Sequence, residues 1–226
     1  MNTQPGFRRE IAAGSLVATA LLSGISLLTM PDWPDGFAAL LGTIAEHPTT
    51  SLISALTFVL AQMPFMVAAV AIGSLVIPSK PVLGAIGVSF AVVGAFGHSV
   101  YGGVAMTQLE MAADKSHHAV HADVLTGIES SPLIAFMAMG LLGTVLGLLL
   151  LAIGLWRSRA VPTWIPAALG LFLVTEFIGS AITDWAAYAS TLLYLAAFTG
   201  LAVAIWQRPA ATVDSASDLD QTETVR

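Results

Sequence analysis

Between Ile11 and Gln207 the chain is a succession of apolar stretches, each long enough to cross a bilayer, with short polar breaks between them. A helix rises about 1.5 Å per residue, so crossing the hydrocarbon core takes about 20 apolar residues. Six stretches qualify: Ile11–Thr29, Ser51–Ile77, Val82–Met106, Pro132–Trp156, Pro162–Thr183 and Trp185–Gln207. Spans two and three are separated only by Pro78-Ser79-Lys80-Pro81, and spans five and six meet at Asp184. About 45 apolar residues are too many for one crossing, which places the division at Asp184. The expected fold is therefore all-α, a polytopic bundle of six transmembrane helices.

The positions of lysine and arginine test this count independently, because cytoplasmic connections are enriched in both. Arg8 and Arg9 precede span one, Lys80 separates spans two and three, Arg157 and Arg159 separate four and five, and Arg208 follows six. With six spans all of these fall on one side, and the opposite side receives only Lys115. That partition predicts both termini on the cytoplasmic side. The outer connections then hold Asp32, Asp35, Glu46, Glu110, Asp114, Asp123, Glu129 and Asp184. Span one is expected to be a retained anchor, since its apolar run exceeds the roughly 7–15 residues of a signal-peptide core.

Only 10% of the residues are charged, against about a quarter in soluble domains. The length is used on spans, so residues 1–208 read as one transmembrane domain. Residues 209–226 read as a disordered acidic cytoplasmic tail, with Asp214, Asp218, Asp220 and Glu223. A net charge of −6 without a basic patch argues against nucleic acid as a partner. The chain has no cysteine, which excludes disulfides, zinc-thiolate sites and iron–sulfur clusters.

Two outer connections are long enough to hold structure. In Pro31–Thr50, Trp33, Phe37, Leu40, Leu41 and Ile44 recur at helical spacing. They predict a short amphipathic helix ended by Pro48, either lying in the interface with Trp33 at headgroup depth or packed as a cap over the bundle. In Thr107–Ser131, Ser116 is placed to cap a helix running to about Ile128. His117 and His121 share a face of it, and histidines at i and i+4 can chelate one metal ion. His118 and Asp114 are nearby candidate ligands. The alternative is a solvated histidine-rich loop.

Ionisable residues inside a span are costly and mark candidate sites. His98 in span three lies eight residues before Met106 and Glu176 in span five eight before Asp184, each about 12 Å deep. His98 shares its face with Gly84, Gly87, Ala91, Gly94, Tyr101 and Gly102, so it faces protein or a cavity. Glu176 shares its face with Gly179, Ser180 and Thr183, a polar stripe leading outward. The two groups either form a buried structural pair, if spans three and five are neighbours, or line a site. Gln62, beside Met63-Pro64, is expected at a kink, where it can bond a freed carbonyl. Ser15, Thr19, Ser23 and Ser26 in span one and Gly140, Gly143, Gly147 and Gly154 in span four read as helix-packing faces.

Several chemistries fall away. Retinal needs a lysine within a span, and Lys80 and Lys115 are both in connections. A haem would have to pair His98 with a loop histidine, which disfavours it. No span carries an arginine, as a voltage sensor needs, and no GxSxG or Walker loop occurs. A metal ion remains the one open cofactor.

The stretch Arg8-Arg9-Glu10-Ile11-Ala12-Ala13-Gly14, the long outer connection before span four, and Leu155-Trp156-Arg157-Ser158-Arg159-Ala160-Val161-Pro162 resemble a broad group of bacterial six-span membrane proteins that carry domains of unknown function. The resemblance covers most of the chain. It implies a multi-pass protein of a bacterial inner (cytoplasmic) membrane and carries over no active residues.

Three functional readings follow. The first is an outward-facing site between spans three and five that binds or transports a small ligand, proton or metal ion. His98, Glu176, Gln62 and Tyr101 would be its inner groups, with Asp184 and the loop histidines at the mouth. The second is a non-catalytic membrane subunit or modulator, or a homo-oligomer, using the small-residue faces of spans one and four as contacts. The third, a metalloenzyme built on His98, His117 and His121, is ranked last, so a non-enzyme is the expectation.

Overall fold

The computed structural model describes residues 5–183 and 185–208. They form eight α-helices and, among the described residues, no strand: α1 (Pro5–Thr29), α2 (Phe37–Glu46), α3 (Pro48–Val76), α4 (Pro81–Ala113), α5 (His118–Glu129), α6 (Ile134–Ser158), α7 (Trp164–Phe177) and α8 (Trp185–Trp206). Short 3₁₀ turns cover Lys115–His117 and Gly179–Ala181. Six helices are long and apolar enough to cross a bilayer, counting α7 with its 3₁₀ extension. The chain is a multi-pass helical membrane protein whose surroundings are lipid.

The helix ends correct the sequence reading in three places. Pro48 does not terminate the loop helix; α2 ends at Glu46 and Pro48 occupies the first turn of α3. A proline is tolerated there because that turn has no intrahelical use for its missing N–H. The third span runs seven residues past Met106, and its extension buries Gln108 and Ala112. Ser116 makes no N-terminal cap for α5; its hydroxyl goes to Asp114 at 2.7 Å. Asp184 and the acidic tail, residues 209–226, lie outside the described residues.

The six long helices close into a ring. Going round, α1 packs on α3, α3 on α4, α4 on α6, α6 on α7, α7 on α8, and α8 returns to α1. The α4–α6 seam is the closest approach. Gly143 faces Gly94, and a Cβ added at Gly143 would fall 2.6 Å from the Gly94 nitrogen. Gly147 meets Ala91 in the same way, and Gly140 meets Gly97 and His98. Lipid offers no hydrophobic drive between helices, so close backbone contact through small residues is what holds such a seam. The span-four glycines are thus consumed inside the chain. The span-one row is also internal. Ser26 donates to the Ser54 carbonyl at 3.0 Å and Ser54 donates back to the Ser26 carbonyl at 2.8 Å, tying α1 to α3.

The two ends of the ring differ. At the end holding the 77–80 and 159–163 connections, the interior is filled by an apolar plug that includes Leu16, Ile72, Leu155, Ile165, Phe198 and Leu201. Arg208 donates to the Ala160 carbonyl at 3.1 Å there, joining the end of α8 to the α6–α7 connection. At the other end α2 and α5 lie on the extension of α4. Leu40, Leu41 and Ile44 of α2 bury themselves with Ala112 and Leu125 in a separate small core. The apolar face of α2 is therefore packed on protein.

Candidate functional site: a cavity at the cap end of the ring

Above the plug the ring does not fill. A cavity of about 270 Å³ opens there, and all six long helices contribute to its wall. Gln62 comes from α3, His98 from α4, Thr144 from α6, Glu176 from α7, Thr191 and Tyr194 from α8, and Ser23 and Ser26 from α1. Met30, just past α1, lies at its rim. The apolar part of the wall is largely Phe58, Phe65, Leu148 and Phe172.

Each polar group has a local reason for its place. His98 sits where α4 and α6 are closest. Gly140 leaves the room for its ring, since a Cβ at that position would stand 2.9 Å from His98 Cδ2. The ring meets Phe58 edge to face at 5.2 Å. Glu176 stands in the last turn of α7. Its Oε2 accepts a hydrogen bond from the Ser190 hydroxyl at 2.5 Å, and its backbone carbonyl accepts one from Ser180. Tyr194 lies between Phe172 and Phe198, with ring centroids 4.7 and 4.1 Å away. Thr144 Oγ1 is buried and has no hydrogen-bond partner among the described residues.

Gln62 behaves differently from expectation. Pro64 has no N–H for the Leu60 carbonyl four residues earlier, yet the Gln62 amide donates to the Phe58 carbonyl at 2.9 Å. Its side chain folds along its own helix and faces the cavity. The polar stripe drawn beyond Glu176 is also altered. α7 stops at Phe177 and continues as a 3₁₀ turn, so Gly179 turns in to face Ala186 while Ser180 and Thr183 are exposed.

His98 and Glu176 do share one cavity, but they are not bonded to each other among the described residues. The ring explains this: α6 separates α4 from α7, so spans three and five are not packing neighbours. Tyr101 points elsewhere, into a small crevice beneath the cap with Gln108 and Glu129. The loop histidines are remote from His98 in the fold and belong to the cap. There His117 Nδ1 lies 2.8 Å and His121 Nε2 3.4 Å from Asp114 Oδ2, while His118 bonds the Ala112 carbonyl at 2.9 Å. No group of three histidine or acidic side chains arranged to hold a metal ion occurs among the described residues. The Ser116 hydroxyl, then the His117 and His121 rings, hold the Asp114 carboxyl down to about 2.

Sequence reasoning did not single out Thr144, Ser190 or Tyr194. Thr144 carried a usable signal, as the only polar side chain between Ile134 and Trp156. Ser190 and Tyr194 carried none, because their meaning depends on α8 lying beside α7.

Comparison with protein-family models, curated proteins and solved structures gave no match for this chain. The resemblance to bacterial six-span proteins therefore rests on the residues quoted for it alone.

Proposed function

We propose that this is an inner-membrane protein with both termini cytoplasmic, whose cavity is an outward-facing binding site for a small ligand, serving recognition or transport. The observation that carries the reading is the convergence of His98, Glu176, Gln62 and Thr144 from four helices on one cavity, above a plug that closes the opposite end. Ionisable groups inside a span are retained at a cost in free energy, and a concave site with a few convergent polar groups is the ordinary form of a ligand pocket. At about 270 Å³ the cavity falls just below the usual range of such pockets, roughly 300–1,000 Å³. The basic connections at the plug end give the orientation. In this frame α2 and α5 cap the outer face, with exposed Trp33 at headgroup depth.

The absence of native cysteine makes the test clean. A Ser23→Cys variant in intact cells should react with a membrane-impermeant methanethiosulfonate reagent added outside. In inverted vesicles it should be protected. Labelling only in inverted vesicles would reverse the orientation, and no labelling in either would remove the open cavity.

A further inference from the structure

The charge and lining of the cavity go further than the presence of a site. We infer that the cavity selects small organic ammonium ions, with the Glu176 carboxylate as their counter-charge; this rests on the proposed function above. Glu176 is the acidic side chain in the wall, and no lysine or arginine lines it among the described residues. A carboxylate has lone pairs for about four hydrogen bonds. Only Oε2 is engaged by a side chain here, with Ser190, and Oε1 has no hydrogen-bond partner among the described residues. An anion would meet this charge with no basic side chain beside it and be repelled.

The rest of the wall separates organic from inorganic cations. Magnesium and calcium demand a shell of several oxygen ligands, usually with carboxylates among them, and among the described residues Glu176 is the one carboxylate in the wall. Aromatic faces instead suit a weakly hydrated ammonium, which gains from the ring quadrupole once out of water. Phe58, Phe65 and Phe172 supply such rings in the wall, while Tyr194 is enclosed between Phe172 and Phe198. Thr144 Oγ1, buried and without a partner among the described residues, offers a hydrogen bond to a polar group carried by the same ligand. The cap end adds a long-range contribution. Asp32, Asp35, Glu46, Glu110, Asp114, Asp123 and Glu129 face Lys115 alone there, a field that draws cations toward the mouth.

The test uses the full chain carrying Ser23→Cys, and compares 2-(trimethylammonio)ethyl with 2-sulfonatoethyl methanethiosulfonate. Each rate is divided by the rate of the same reagent at Ala119→Cys, on the exposed side of α5, which removes the general surface bias. The cationic reagent should be favoured by at least about tenfold. Glu176→Gln should bring the ratio close to one, and Glu176→Asp should preserve it. Tetramethylammonium chloride should slow labelling of Ser23→Cys by neutral methyl methanethiosulfonate, and sodium chloride at the same strength should not. A ratio near one with Glu176 intact, a ratio that survives Glu176→Gln, or equal protection by sodium would overturn the cation selectivity and leave the cavity standing. Failure of all three reagents to react would overturn the cavity as well.

Discussion

The plug half and the cap half of the ring are built from the same six helices but solve opposite problems. In the plug half, Leu16, Leu155, Ile165 and Leu201 are almost wholly withdrawn from the surface, and apolar side chains fill the interior. In the cap half the same helices carry serine, threonine, glutamine, histidine and glutamate on their inner faces and leave space between them. Apolar packing in lipid is held by shape alone, so a polar interior around a void is the less stable arrangement. The molecule fills its ring with apolar side chains at one end and lines a cavity with polar ones at the other.

The largest effect on stability is expected at the α4–α6 seam, which runs through both halves. Gly143→Leu forces a side chain into the Gly94 backbone, where no flexible neighbour can yield. It should cost about 3 kcal/mol or more, measured by denaturant unfolding of the purified protein in detergent. Gly103→Ala, on the same α4 with nothing within 4 Å, should be neutral or stabilising by up to about 1 kcal/mol. Next comes truncation in each half. Leu155→Ala in the plug should cost about 2–5 kcal/mol by opening a void in packed material. Leu27→Ala, which already borders the cavity, should cost less than about 1 kcal/mol. Equal losses at the two sites would show that the halves are not packed differently.

The polar groups should matter less to stability. Ser190→Ala removes one hydrogen bond to Glu176 and should cost about 1–2 kcal/mol. The smallest effect concerns the cap. Asp114 is held at about 2, below its ordinary 3.8, so its contribution is complete above pH 3.8 and is lost as pH falls toward 2. Protection from hydrogen exchange in residues 115–129, taken relative to the intrinsic rate at each pH, should therefore fall over that window in the unaltered protein. Asp114→Asn should remove that acid step; an unchanged step in the variant would assign it to another group.

Much of the architecture was legible because it is periodic or compositional. Span lengths, the span-four glycine face and the α2 helix all follow from spacing, and each has a counterpart in the structure. The candidate site was legible only one residue at a time. His98, Glu176 and Gln62 stand out because polar groups are rare in lipid, and they do converge. What they converge on depends on ring closure, in which α8 returns to α1, and no local pattern encodes that neighbour. For the same reason Ser190 went unnoticed as the partner of Glu176, and Tyr101 was grouped with His98 although it points beneath the cap. Pro48 illustrates a different limit, since a proline can either end one helix or begin the next.

The central claim is that one helix passes from a wet site to a dry plug. A ladder of single cysteines along the inner face of α1 reads this directly, at Ala13, Leu16 and Ala20 in the plug and at Ser23, Leu27 and Met30 along the cavity. With an impermeant thiol reagent applied at the cap end, the account predicts reaction at 23, 27 and 30 and a sharp loss between 23 and 20. Reaction that continues unchanged to position 13, or that appears only from the plug end, would contradict it.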